Sequence, residues 1–423
     1  MPARNETRVA EPRLVEDYHA ATAADRHLPE SFVLWDETLR DGEQTPGVRF
    51  TPEEKLRIAE KLSEIGVGVL NAGIPVVSAE EARAVRLLAT SGLKAKVLAA
   101  ARTVPADVEA VVDSGATHIA IFVAASQVHL KYKLKMSPDE VVDVSVRSVR
   151  RAKQAGLHVA FVTEDTVRAP FDFVERLYRA VQGEGADRLV VADTVGVMTP
   201  LTFRWYLAEF IRRVHPTDLS VHCHDDFGLA TANTLTAVEM GARAPHVCVN
   251  GLGERAGNAA LEEVVLGLEG LYGYRTGIRT EGLYELSRLV EELSGIPIPP
   301  NKAWVGYNAF SHEAGIHTHG ILAHTLTYEP IQPQVVGRER KMILGKHTGK
   351  AALVEKLKER GLHATDVLLL DLLYRVKVEP GSRTKDDLKR FLREYRSIFE
   401  RPGLSDEEFW SLVDAVGIRP VSA

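Results

Sequence analysis

Cysteine is almost missing from this chain: only Cys223 and Cys248 occur in 423 residues. That excludes a disulfide framework. Both thiols lie in apolar, strand-like runs, so buried free thiols and a reducing cytoplasm are expected. Long apolar stretches are also missing. None approaches the roughly 20 residues that cross a bilayer, so no membrane contact is expected. Positive charge is not in excess: 52 Lys and Arg stand against 58 Asp and Glu, a net charge of −6. No global basic field draws nucleic acid, and an acidic or CoA-bearing substrate has to be met by local Arg, Lys and His. No GxGxxG follows the first apolar run, which removes the usual dinucleotide-binding reading. The first 28 residues are polar and charged, without an apolar centre. They read as a flexible or loosely docked arm rather than a secretion signal.

What is present is alternation. Short apolar runs recur at Phe32–Trp35, Val67–Leu70, Lys96–Ala100, His118–Val123, His158–Val162, Arg188–Ala192, Leu219–His222 and His246–Val249. Amphipathic stretches separate them, such as Pro52–Ile65, Glu80–Ser91, Pro138–Ala155, Phe171–Glu184, Pro200–Val214 and Ala230–Met240. Apolar runs alternating with helices indicate parallel βαβ units. Eight such units in roughly 250 residues predict an α/β fold, a (β/α)8 TIM barrel, with an open doubly wound sheet as the alternative. After Glu281–Ser294 the segment Gly295-Ile-Pro-Ile-Pro-Pro300 resists regular structure. The expected organisation is an arm at 1–28, a catalytic barrel at 29–295, and a linker with small helical C-terminal subdomains at 296–423. Helices are predicted there at Lys350–Arg360, Ala364–Val378, Ser382–Phe399 and Ser405–Val416.

The chemistry is predicted at the strand ends. In Val221-His222-Cys223-His224 both imidazoles fall on one face of a strand, because side chains alternate with a period of two. Asp41 after the first strand adds a hard oxygen donor, and Asn258 an amide oxygen. The resulting O/N set suits Mg2+, Mn2+ or Zn2+. Arg40 is placed to stabilise a forming alkoxide. Thr194 and Arg102 are placed to hold a substrate carboxylate, and Asp193 to buttress its loop. Ser126 and His129 follow the fourth run, Glu164 the fifth, and Asn71 the second.

Five motifs resemble one family: LRDGEQTPGV, HCHDDFGLATANT, VNGLGERAGNAALEEVV, AFSHEAGIHTHG and VGRERKMILGKHTGK. They are similar to the metal-dependent Claisen-condensing acyltransferases comprising 2-isopropylmalate, homocitrate and citramalate synthases. The resemblance covers about Phe32 to Lys350. It implies acetyl-CoA as co-substrate, a 2-oxo acid as acceptor, and a homodimer. It also implies metal ligands at Asp41, His222, His224 and Asn258. Arg40, Glu164, His317 and Tyr328 become the catalytic groups, with Tyr328 supplied by the partner subunit. His312 and Glu313 are the next candidates for acid–base work. Gln44 and Thr194 become substrate contacts by the same resemblance, and Arg102 and His129, from their places after the third and fourth runs, are expected to join them.

The wording is most similar to the nitrogenase-associated homocitrate synthases, so 2-oxoglutarate is the expected acceptor. Asn71 departs from that pattern, which usually has Glu there. It keeps phosphonopyruvate or phosphinopyruvate open beside 2-oxoisovalerate and pyruvate. A lyase of the hydroxymethylglutaryl-CoA type is the alternative in another reaction class. A barrel that only binds is the alternative outside enzymes.

Overall fold

Helix boundaries follow from local chemistry. Thr51 accepts from the Glu54 backbone while the Glu54 carboxylate returns to the Thr51 N–H, and Pro52 occupies the first turn. This reciprocal cap starts the helix Pro52–Ile65, and Gly66, at φ 103°, ends it. Its buried stripe is Lys55, Ile58, Ala59, Leu62 and Ile65, the spacing of one helix face. Fully burying a side chain such as Ile58 or Leu62 contributes roughly 1.5–3 kcal/mol each. Ser137 and Glu140 repeat the same cap at Pro138–Gln154.

The structure, a computed structural model, describes residues 14–379, 385–400 and 403–418. Eight strands form one parallel sheet: β1 Trp35–Asp36, β2 Val69–Asn71, β3 Lys96–Arg102, β4 His118–Ala124, β5 His158–Glu164, β6 Arg188–Asp193, β7 Leu219–Cys223 and β8 His246–Val247. Their order is sequential from β7 down to β1, and β1 then pairs with β8. A doubly wound sheet reverses its strand order; this one closes into a barrel. β7 and β8 share no ladder among the described residues. The segment Asn258–Ala260 fills that seam: Ala259 donates to the Cys223 carbonyl at 3.3 Å and accepts from Cys248 N at 3.0 Å.

Two cores result. The larger lies between strands and helices. The smaller fills the barrel with Trp35, Val69, Leu98, Ala100, Ala120, Ala160 and Val190. Register aligns Ala100 with Ala120 and Ala120 with Ala160, so three alanines form one row across β3, β4 and β5. Phe122 and Val162 form the next row toward the C-terminal ends.

The strands differ from expectation at their ends. β1 is only Trp35–Asp36, and β8 stops at Val247 before a turn at Val249–Gly251. Helices at Pro105–Ser114 and Leu261–Tyr272 complete the alternation. Both cysteines are buried free thiols. No described helix is long and apolar enough to cross a membrane. Residues 1–13 of the expected arm lie outside the described residues; further on, His27 N donates to the Glu239 carbonyl at 2.7 Å.

The chain forms two compact units. Among the described residues, the first comprises 14–310 and 329–340, the second 311–328 and those from 341 onward. In the second, Ser311–His312 pairs in parallel with Lys341–Met342, and the helix Gly315–Ala323 packs on Lys350–Lys358. Helices at Asp366–Val378, Lys385–Phe399 and Asp406–Ala415 follow; Ser382, the expected start of the middle one, lies outside the described residues.

Candidate active site and metal centre

The C-terminal ends of the strands open into a cavity of about 340 Å³. Alternation along β7 and just beyond it brings His222 and His224 to this mouth, with ring centroids 4.8 Å apart. Asp41 stands in the turn after β1, its Oδ2 3.3 Å from His224 Nε2. Ligand atoms of Asp41, His222 and His224 all lie within 4.8 Å of one another, and all three residues are buried.

Asn258 is placed by the seam segment. Its Nδ2 donates to Asp41 Oδ2 at 2.5 Å and to the Leu252 carbonyl at 3.0 Å. Its Oδ1 is buried without a partner, as is His224 Nδ1. An unpaired buried amide oxygen beside two imidazoles and a carboxylate fits a divalent cation. Burial pushes Asp41 up, but Arg40, the His224 contact and His222 hold it well below the usual carboxylate range. Burial, with His224 alongside, holds His222 well below the usual imidazole range. A charged carboxylate and a neutral imidazole are the forms that ligate. Gly253 is required here: a Cβ on it would sit 2.1 Å from Asn258 Nδ2 and 2.8 Å from Asp41 Oδ2.

Arg40 is fixed on both sides. Its Nε donates to Glu37 at 2.7 Å and its other arm to Asp41 at 2.8 Å. Glu37 in turn accepts from Asn71 Nδ2 at 2.9 and 3.1 Å. Asn71 thus supports a buried carboxylate, and a carboxylate at 71 would face Glu37 with like charge. Burial raises the Glu37 pKa, while Arg40 and Asn71 oppose the rise.

Gln44, Glu164 and Thr194 line the same cavity. The Thr194 hydroxyl accepts from Asp165 N at 2.8 Å, which leaves its own proton to donate. Glu164 is held by Lys133 at 2.6 Å, with His129 Nε2 3.5 Å behind it. His129 Nδ1 contacts Ser126 Oγ at 2.7 Å and Asp165 at 3.1 Å. Asp193 anchors its loop by accepting from Val197 and Met198 N, each at 3.0 Å.

Arg102 is not brought to the cavity. Its guanidinium clamps Asp107 at 2.6 and 3.0 Å, and its side chain is 57% exposed. Asp107, on the helix that β3 feeds, is a nearer anion than any substrate at the mouth.

Among the charged and imidazole groups that line it, Glu37, Lys133, His246, Glu254 and Arg255 were not singled out as site residues from the sequence. His246 stacks on Trp35 with centroids 4.0 Å apart and lies 3.3 Å from His222, nitrogen to nitrogen. A histidine opening an otherwise apolar final strand was the available signal.

His317 and Tyr328 belong to the second unit. Their ring centroids lie 4.1 Å apart within one chain. In the same unit Glu313 accepts from His347 N at 3.1 Å, and the His312 carbonyl accepts from Ile343 N at 2.9 Å.

A model of the HMGL-like family matches residues 31–290, and one described as homocitrate synthase post-HMGL domain-like matches 304–381. Homocitrate synthase AksA of Methanopyrus kandleri is 50% identical over 380 residues, covering 90% of this chain and 96% of that one. The 2-isopropylmalate synthase of Methanocaldococcus jannaschii is 49% identical over 336 residues, covering 79% of this chain and 65% of that one. Among solved structures, the HMG-CoA lyase of Bacillus subtilis superposes with a TM-score of 0.58 at 24% identity, over 64% of this chain and 96% of that one. That likeness speaks to the barrel alone. The match along both segments, and the identity to synthases over nine-tenths of the length, place the chain in the HMGL-like family, within the branch of the homocitrate and 2-isopropylmalate synthases.

Proposed function

We propose that this chain joins the acetyl group of acetyl-CoA to the ketone carbon of a 2-oxo acid, then hydrolyses the thioester and releases CoA. The observation that carries the reading is the group Asp41, His222 and His224, lining one cavity with Arg40, and the unpartnered amide oxygen of Asn258, whose Nδ2 rests on Asp41. The names of the relatives, homocitrate synthase and 2-isopropylmalate synthase, support it.

Those four residues would hold Mg2+, Mn2+ or Zn2+, and an ion bound there supplies Lewis-acid polarisation of the 2-oxo acid. The remaining work falls to the chain. Arg40, pinned by Glu37 and Asp41, donates to the ketone oxygen as negative charge builds on it. Thr194 donates its hydroxyl proton to the substrate carboxylate. Gln44 orients the substrate from the cavity wall. Glu164, braced by Lys133 and His129, holds a proton position at the mouth.

His317 takes the proton from the weakly acidic methyl group of acetyl-CoA, with Tyr328 stacked on it. The resulting electron pair forms the new carbon–carbon bond, and the ketone π pair moves to oxygen. Water then breaks the carbon–sulfur bond, leaving a hydroxy acid with one more carboxylate and free CoA thiol. A homodimer in the cytoplasm belongs to the same reading.

Release of CoA thiol from acetyl-CoA tests it. Release should require both a divalent cation and a 2-oxo acid. Absence of release with every 2-oxo acid tried would sink the reading, and carbon–carbon cleavage of a 3-hydroxyacyl-CoA with its thioester left intact would instead make the chain a lyase.

A further inference from the structure

The charges around the cavity are few and spoken for. Carboxylates of Glu37, Asp41, Glu164 and Glu254 line it, against the cations of Arg40, Lys133 and Arg255. Each cation is engaged: Arg40 by Glu37 and Asp41, Lys133 by Glu164, and Arg255 by Asp226 and the Thr194 carbonyl. With Asp226, the partner of Arg255, counted, five carboxylates stand against three cations, and a divalent ion cancels the surplus of two negative charges. The one carboxylate that every 2-oxo acid carries is then met by that ion and by the Thr194 hydroxyl. A second carboxylate, or a phosphonate, would enter without a counter-charge, and an unpaired charge in a partly closed cavity is strongly disfavoured.

The cavity floor has the matching chemistry. Ala100 and Ala120 stand side by side by strand register, and Phe122 and Val162 stand one row nearer the mouth. Ala192 and Ile74 complete the apolar lining. Three of these six side chains are alanines, which leaves a hollow above the inner core. Among the described residues, no further Lys or Arg lines the cavity.

We infer that the 2-oxo acid taken by this site carries an uncharged, apolar side chain, seated on the alanine row between β3 and β4. The inference rests on the condensation proposed above and narrows it. It sets aside 2-oxoglutarate and phosphonopyruvate, which both bring a second anion to this floor.

The full chain, loaded with Mg2+ or Mn2+, can be given 2-oxoisovalerate, 4-methyl-2-oxovalerate, phenylpyruvate, 2-oxoglutarate and phosphonopyruvate in parallel. CoA thiol release gives kcat/KM for each acid, and calorimetry without acetyl-CoA gives its Kd. At least one apolar acid should exceed both dianionic acids by about 100-fold or more in kcat/KM, with the same ranking in Kd. Equal or better use of 2-oxoglutarate or phosphonopyruvate overturns the inference. Binding of apolar acids without any thiol release supports the inference and fails the condensation reading. Silence in both measurements removes the two together.

Discussion

The Lys55 ammonium, fully buried in the first barrel helix, donates at 3.0 Å to the carbonyl of Leu39, the residue immediately before Arg40 and Asp41. It also reaches the Ala72 carbonyl at 3.3 Å and the carboxylates of Glu43 and Glu81, both at 2.7 Å. One cation therefore ties the loop after β1 to the loop after β2. Lys55→Met should cost roughly 3–5 kcal/mol of stability, because it strands two carboxylates. Activity should fall further than stability explains, since the Arg40–Asp41 turn loses its anchor. Denaturant unfolding beside thiol-release kinetics at a temperature where the variant is folded checks both parts.

Asp41→Ala and His224→Ala each remove a donor from the proposed metal centre. Metal affinity should fall by more than about 100-fold, the upper range seen for groups that only support ligands. Turnover should fall with it. Elemental analysis after dialysis against a trace chelator measures the first effect. A variant that keeps full metal content would refute the ligand assignment.

Gly253→Ala tests the site without touching a donor. The new Cβ has no room beside Asn258 and Asp41. Metal affinity should drop at least about tenfold while the circular dichroism spectrum stays native. Unchanged affinity would mean that the Asn258–Asp41 contact can shift freely.

Arg40→Lys keeps the charge and loses the planar fork that serves Glu37 and Asp41 together. We expect kcat to fall by about 100- to 1,000-fold with metal content intact, the size of losing one donor to a developing oxyanion. A change confined to KM would instead assign Arg40 to binding.

His118 and His158 stack at 4.7 Å at the opposite, N-terminal end of the barrel. Burial, then His158, Lys96 and Arg188, lower His118 from 6.5 to about 4, with Asp187 opposing. The unfolded chain therefore binds a proton near pH 6.5 that the folded chain refuses until about pH 4. Stability is complete above pH 6.5 and declines as pH falls from there toward 4. His118→Gln should flatten that part of the Tm-against-pH curve. An unaltered slope would remove His118 as its source.

The barrel was legible because hydrophobic period switches from two to 3.6 at each βα unit, and caps such as Thr51 and Ser137 mark the changes. The His222–His224 pair was legible for the same reason. Arg102 was misplaced because sequence spacing cannot say which of two anions an exposed guanidinium meets, and Asp107 is five residues away. Lys55 was readable in principle: it lies three and seven residues before Ile58 and Leu62, on the helix face that is otherwise core. His246 was harder, since it becomes a neighbour of His222 and Glu37 only once β8 returns to β1.

A cylinder with seven laddered joints and one patched joint has a weak meridian. On that flank β7, whose end carries the paired imidazoles, is held at its start by Arg243 N on the Leu219 carbonyl and at its end by a three-residue wedge, and Asn258 is part of that wedge. An ion gripping Asp41, His222, His224 and Asn258 would therefore rivet the last joint as it equips the cavity. Readiness for chemistry and mechanical closure of the staves then rise and fall together.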